Sequence, residues 1–330
     1  MVHKKDKEAK GSWVTYRPEI KLLDCTIRDG GLMNEHQFED GFVKAVYETC
    51  IAAGIDYVEL GYKASKKIFA PDKFGDWKYC DEDCIRRIVG DNSAPIKLSA
   101  MADAEKTDYH EDILPKEQSV FDVIRVATYI HQIPTAIDMI KDAHDKGYET
   151  TLNLMAISVV HDSDLAEALE VLVKTPVGTI YLVDSFGSLY SEQIRDLTLT
   201  YLDAVKGTGK EVGIHAHNNQ QLAYANTIEA LILGANRIDA TINGMGRGAG
   251  NCSLELLLAF LKNPKFKLRP VLECIQKHFL PLRDKMEWGY RVPYMLTGML
   301  NQHPRAAMTL RASKNPDDYV GFYDQLTEKE

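Results

Sequence analysis

Eight short runs rich in β-branched and apolar residues recur along the chain: IKLLDCT, DYVELGY, IKLSAMA, FDVIRVA, ETTLNLM, GTIYLVD, EVGIHAH and NRIDATI. Longer segments separate them, among them FVKAVYETCIAAG, IPTAIDMIKDAHDKG, DLAEALEVLVKT, SEQIRDLTLTYLDAVKG and QLAYANTIEALILG. Their apolar residues recur three and four positions apart, and they often end near glycine, as amphipathic helices do. Strands alternating with crossover helices build a parallel sheet. Eight such units, spaced by about 30 residues, favour an α/β fold closed as a (β/α)8 TIM barrel over an open doubly wound sheet. No GxGxxG follows the first run to suggest a dinucleotide fold. The barrel is expected over residues 18–264, after a polar N-terminal tail over 1–17 and before a C-terminal helical extension over 265–330 interrupted by Pro270, Pro281, Pro293 and Pro304.

A chain of 330 residues with 45% hydrophobic content can fill one large core. Its net charge of -9 argues against a nucleic-acid partner, because that affinity rests on clustered Lys and Arg. The ligand is expected to be a small molecule. MVHKKDKEAKGSW lacks the apolar stretch of about 7–15 residues of a secretory signal. The longest apolar run, Leu254 to Leu261, carries Glu255 and falls far short of the roughly 20 residues that span a bilayer. Cys25, Cys50, Cys80, Cys84, Cys252 and Cys274 are scattered rather than arranged as a disulfide framework, and Cys80 with Cys84 lacks the second pair of a zinc site. A cytoplasmic protein without membrane contact is the expectation.

In such a barrel, chemistry gathers at the carboxyl ends of the strands. The first end reads Arg28-Asp29-Gly30-Gly31, two opposite charges followed by two flexible glycines. An oxygen ligand for a cation beside a guanidinium for an anion is one reading; a surface turn with an ion pair is the other. The seventh run ends in GIHAHNN, where strand alternation aims His215 and His217 to the same side. Two imidazoles and a carboxylate from another strand end make a mixed nitrogen and oxygen site for Mg2+, Mn2+, Zn2+ or Fe2+. After the eighth run, NGMGRGAGN offers four glycines that let backbone approach a ligand, and Asn251 as a further oxygen. Glu59 in VELGYK, Arg125 in VIRVATY and Asp184-Ser185 in YLVDSFG complete a polar ring. Each of these alone is more often a barrel-lip hydrogen-bonding residue than a catalyst.

Taken together, these segments resemble the DRE-TIM metallolyases, and within them the 4-hydroxy-2-oxovalerate aldolases. The resemblance runs from about Lys21 to Leu261 and rests on DCTIRDGG, VELGYK, VIRVATY, LNLMAIS, IYLVDSFG, GIHAHNN and GMGRGAGN, in the family's order. It implies that Asp29, His215 and His217 ligate a divalent metal, usually Mn2+ or Mg2+, with Asn251 at a position that ligates metal in one branch. It also implies that Arg28 stands beside the substrate carbonyl and that Glu59 is the acidic member of the name-giving trio. GYRVPYMLTG resembles a stretch in which a C-terminal tyrosine closes over the substrate, which makes Tyr290 and Tyr294 candidates. Tyr62, Arg125, Asp184, Ser185 and Tyr294 are the expected substrate contacts. The implied activity cleaves or forms the C3–C4 bond of a 4-hydroxy-2-oxo acid, with pyruvate enolate and an aldehyde as the two halves. A homo-oligomer, or a partner aldehyde dehydrogenase that takes the aldehyde, is implied in the same way.

Three features depart from the aldolase pattern. Leu32 stands where the aldolases carry a histidine, three residues after the metal-binding aspartate. The segment from Tyr62 to Tyr79 is long and aromatic, with Phe69, Phe74 and Trp77, and suggests a differently shaped substrate. GMGRGAGNCSLE also resembles the Claisen-type synthases of the superfamily, so an acyl-CoA-dependent condensing enzyme or lyase is the alternative, and a metal-binding scaffold without turnover the third. Without the histidine, the base expected to accept the C4 hydroxyl proton is Tyr290, then His36, then Tyr62. His36 could equally face solvent in the first turn of the first crossover helix.

Overall fold

The computed structural model describes residues 17–328, so the expected tail over 1–17 lies, Arg17 apart, outside the described residues. All eight expected strands form: β1 (Lys21–Asp24), β2 (Tyr57–Tyr62), β3 (Lys97–Asp103), β4 (Val123–Thr128), β5 (Glu149–Leu154), β6 (Thr179–Asp184), β7 (Glu211–Ala216) and β8 (Arg237–Ala240). Each pairs in parallel with its sequence neighbour, and β8 returns to β1 to close the barrel.

Successive side chains along a strand point to opposite faces. Leu22, Val58, Leu60, Ile124, Ile180, Ile214 and Ile238 join the large apolar core that the sheet shares with the surrounding helices. The alternate residues turn into the barrel, where Leu23, Cys25, Tyr57 and Val123 form a small separate cluster. Above that plug the interior is charged, with Glu59, Arg125 and Asp239 all fully buried. Gly213 makes room there. It pairs with Tyr181 across β6 and β7, and a Cβ on it would overlap the tyrosine ring over which the Arg125 guanidinium lies at 4.5 Å.

The crossover helices follow the sequence periodicity. Helix Asp40–Ala53 buries Val43, Val46, Tyr47 and Cys50 at spacings of three and one, and ends at Gly54 with a left-handed φ of 74°. Between β3 and β4 the described residues form no α-helix, only a 3-10 turn at Lys116–Gln118. The intervening DYHEDILPKEQ has no apolar period to bury and carries Pro115.

Beyond the barrel, Pro293 and Pro304 begin helices instead of interrupting them, whereas Pro281 lies near the end of a continuous helical run over 268–282 that includes a π-helical turn. Pro293 lies in the first turn of helix Val292–Met299, and Pro304 is the N-cap of helix Arg305–Arg311. These helices and helix Tyr319–Thr327 pack through Tyr294, Leu296, Ala307, Phe322 and Leu326 against Ala249 of the loop after β8. Hydrogen bonds fasten the segment to the carboxyl end of the barrel: Ser188 Oγ donates to Asn301 Oδ1 at 2.8 Å, Asn301 Nδ2 to Ser158 O at 3.0 Å and Trp288 Nε1 to Asn243 O at 3.0 Å. His303 and Arg305 are thereby brought to the site described next.

Candidate active site

β1 ends at Asp24, and the chain enters a helical turn, Thr26–Gly30, whose five residues are all buried. The turn sets Arg28 and Asp29 over the barrel mouth. The two glycines after them serve space instead of flexibility. Gly30 and Gly31 both hold a helical φ of -59°, but a Cβ on Gly31 would overlap the His36 ring, and one on Gly30 would lie 2.8 Å from Met245 Sδ.

His215 is the next-to-last residue of β7, and His217 follows directly after the strand. His215 Nδ1 lies 3.0 Å from Asp239 Oδ2, and His217 Nδ1 lies 3.0 Å from the Asp184 carbonyl oxygen. Both acceptors lack protons, so each neutral imidazole carries its proton on Nδ1 and its lone pair on Nε2. The Nε2 atoms lie 3.9 and 3.7 Å from Asp29 Oδ2, and both are buried without a partner. Asn251 adds a third orphan. Its Nδ2 donates to Asp29 Oδ1 at 3.1 Å, while its Oδ1 is buried and unpartnered.

Burial alone would raise the Asp29 carboxyl, but the Arg28 guanidinium holds it well below the usual range. Burial lowers the His215 pKa despite Asp239, which favours the neutral, ligating form. A buried carboxylate and unpartnered nitrogen lone pairs converging within 4.8 Å fit a divalent cation. Cys25, His215 and Asp239 also cluster, but there the histidine nitrogen is committed to Asp239, which also takes Arg125 Nη2 at 2.6 Å.

Behind the cluster runs a continuous chain of charge. Arg28 Nη1 donates to Asp29 at 2.6 Å and its Nε to Glu59 at 2.7 Å. Arg125 donates to the same Glu59 oxygen at 3.1 Å and to Asp239, which returns to His215. Two guanidiniums thus meet three carboxylates, an arrangement that suits an added cation. The chain fixes the rotamers of the groups facing the cavity, as the outer partners of metal ligands do.

The cavity has a volume of about 350 Å³. Of the residues singled out in the sequence, Arg28, Asp29, His215, His217, Tyr62 and Ser185 line it. Other expected site residues are placed elsewhere. Glu59 and Arg125 lie beneath it in the ion chain, and the Asp184 carboxylate is turned away to accept the backbone N–H groups of Ser188 and Leu189. Tyr294 is buried in the apolar cluster of the C-terminal helices, and Tyr290 is 49% exposed, so neither reaches the cavity wall. His36 corrects the solvent-facing reading. It precedes helix Asp40–Ala53 with a φ of 62°, is buried against Gly31, and meets the Tyr62 ring edge-on at 5.2 Å behind the wall. Burial, Lys78 and Arg28 push its pKa down to about 3.

The wall also carries residues that the sequence reading passed over. Lys78 is 6% exposed, with its ammonium 4.1 Å from the Phe69 ring centroid and 4.5 Å from that of Tyr62. Burial pulls its pKa below the ordinary lysine value, and Lys106 adds to the effect. Arg247, His303 and Arg305 also line the cavity.

A family model described as HMGL-like matches residues 115–276. An oxaloacetate decarboxylase of Mycobacterium tuberculosis is 32% identical over 253 residues, covering 75% of this chain and 71% of that protein. The chain belongs to the HMGL-like family. This family lies within the DRE-TIM metallolyase superfamily of metal-dependent aldolases and lyases. A 4-hydroxy-2-oxovalerate aldolase of Pelotomaculum thermopropionicum is 29% identical over 255 residues, 76% of this chain and 72% of the relative. The crystal structure of the N-terminal domain of a Bacteroides vulgatus protein assigned as an aldolase aligns over 90% of this chain and 98% of its own, at 31% identity and a TM-score of 0.78. The HMG-CoA lyase of Brucella melitensis, at 16% identity and a TM-score of 0.65 over 80% of this chain and 99% of that one, shares the fold.

Proposed function

We propose that this HMGL-like protein is a metal-dependent carbon–carbon lyase that cleaves or forms the C3–C4 bond of a 4-hydroxy-2-oxo acid. The observation that carries the reading is the convergence of Asp29 and two unpartnered imidazole nitrogens beside the Arg28 guanidinium. Asp29, His215 and His217, with Asn251 as a further oxygen, would hold a divalent cation, which would supply Lewis-acid stabilisation of charge on the C2 oxygen. The carboxylate and amide oxygens suit Mn2+ or Mg2+, and the imidazoles also suit Zn2+ or Fe2+.

Arg28 faces the same oxygen. Its fork is held by Asp29 and Glu59, so it needs no reorientation when negative charge develops there. As the C3–C4 bond breaks, its electron pair becomes the enolate of pyruvate, and the C4 hydroxyl proton leaves as the aldehyde carbonyl forms. Lys78 takes that proton. It lines the cavity with Leu32, Tyr62 and Phe69, and burial lowers its pKa from the ordinary lysine value, which eases its use as a proton acceptor. In the reverse direction the ammonium returns the proton to the C4 oxygen. Tyr62 keeps its proton, because burial pushes its hydroxyl pKa up, and serves as a donor.

Leu32 also favours a second reading, in which no hydroxyl proton has to be removed. Decarboxylation of a 2-oxo dicarboxylate such as oxaloacetate leaves the same enolate and needs no base. Both readings are tested by incubating Mn2+-loaded protein with a panel of 4-hydroxy-2-oxo acids, oxaloacetate and acyl-CoAs, following pyruvate and free thiol. Pyruvate from a 4-hydroxy-2-oxo acid is the expected result. Pyruvate from oxaloacetate alone favours decarboxylation, and thiol without pyruvate overturns both.

A further inference from the structure

One part of the cavity lining has no role in the chemistry above, and it is strongly cationic. Arg247 comes from the loop after β8, and its backbone N–H donates to Asp29 Oδ1 at 3.1 Å, which fixes it beside the metal-binding cluster. Arg305 comes from the C-terminal extension. Between them lies His303, its ring edge-on to Phe186 at 5.8 Å. All three line both the main cavity and an adjoining one of about 370 Å³ that continues past Leu32 toward Met308.

Among the described residues, no carboxylate lies within 4.0 Å of either guanidinium, and the Arg247 Nε is buried without any partner. Arg305 is exposed, but Arg247 is half-buried, and arginines buried to a similar or greater degree elsewhere in the chain find acids: Arg237 meets Glu149 and Glu211, and Arg311 meets Glu287 and Asp317. Two like charges flanking one small ring repel each other, and a planar guanidinium is best satisfied by an oxyanion. The imidazole does not add a third charge. Burial, Arg247 and Arg305 bring its pKa down to about 4. Its Nδ1 accepts the Arg305 backbone N–H at 3.1 Å, so the neutral ring carries its proton on Nε2 and is a donor.

From this geometry we infer that Arg247, Arg305 and His303 form a subsite for a second anionic group, a carboxylate or a phosphate, at the end of the substrate remote from the 2-oxo acid. The inference rests on the 2-oxo acid reading given above and narrows its substrates to dianions. An aldehyde half that carries its own acid group then replaces the short neutral aldehyde of the simplest substrate.

Binding of non-cleavable ligands tests this without turnover. Isothermal titration of Mn2+-loaded protein compares 2-oxopentanoate, 2-oxoglutarate and 2-oxo-4-phosphonobutanoate, which share the 2-oxo acid and differ in the tail. A dianionic ligand is expected to bind at least about tenfold more tightly than 2-oxopentanoate, the scale of charge-assisted bidentate bonds. Arg247→Gln and Arg305→Gln are each expected to shrink that ratio, and the double variant to bring it to parity. Whether the carboxylate or the phosphonate gains more identifies the natural tail. Equal affinity for all three, or a preference that survives the double substitution, overturns the subsite alone. Failure of all three to bind overturns the 2-oxo acid reading with it.

Discussion

Asp239 Oδ2 accepts the Nδ1 proton of His215 at 3.0 Å, and this single contact turns the His215 Nε2 lone pair toward Asp29. Asp239 touches no substrate, so its role is positional. Asp239→Asn is expected to weaken Mn2+ binding by roughly 10 to 100-fold. It should also lower the Tm, because Arg125 loses one of its two buried acids. Titration calorimetry checks the first and calorimetric unfolding the second. Unchanged Mn2+ affinity would remove the argument for the tautomer.

Arg28→Ala should fold, since Glu59 keeps Arg125 at 3.1 Å, and should bind metal. Its kcat is expected to fall by roughly 100 to 1000-fold, the cost of losing a preorganised donor to a developing oxyanion. Arg28→Lys should recover little, because an ammonium cannot bridge Asp29 and Glu59 as the fork does. Near wild-type kcat in Arg28→Ala would contradict the assignment.

The strands and the convergence of Asp29, His215 and His217 were legible in the sequence because both obey local rules. Period-two and near-four patterns locate strands and helices, and one-residue spacing at a strand end puts His215 and His217 on one face. Asp239 does not stand out for a reason that is itself local: NRIDATI reads as an apolar strand, although Arg237 and Asp239 both occupy inward positions. Tyr290, Tyr294 and His303 lie in a segment without such a rule. Which of its side chains reaches the barrel mouth depends on tertiary bonds such as Asn301 to Ser158, which no spacing announces. Lys78 was hidden similarly, because only folding of the Tyr62 to Tyr79 segment places Phe69 and Tyr62 against its ammonium.

Lys78 makes a prediction about pH. A proton acceptor works as the neutral amine, so kcat/KM for cleavage should rise with pH and level off above the Lys78 pKa, which burial and Lys106 place under the ordinary lysine value. Lys78→Met should remove that rise and slow cleavage by roughly 100-fold or more. Decarboxylation of oxaloacetate, where no hydroxyl proton moves, should be spared. A loss shared equally by both reactions would make Lys78 a structural residue instead.

Gly246 has no Cβ because there is no room for one: a methyl there would overlap the Asn251 amide and sit 2.6 Å from Asp29 Oδ1. Gly246→Ala should therefore weaken Mn2+ binding by at least about tenfold, as misplacing a ligand's supporting shell does. Circular dichroism should still show the barrel. Undiminished affinity would show that Asn251 and Asp29 can move apart without consequence.

The central claim is that Asp29, His215 and His217 hold one divalent cation. Its most direct test is an anomalous difference map from crystals of the protein grown with Mn2+. The account predicts a single strong peak at about 2.0 to 2.3 Å from Asp29 Oδ2, His215 Nε2 and His217 Nε2, with at least one coordination position open to solvent in the cavity. A map with no peak at that point at saturating Mn2+, or with the ion bound instead between Cys25, His215 and Asp239, would contradict it.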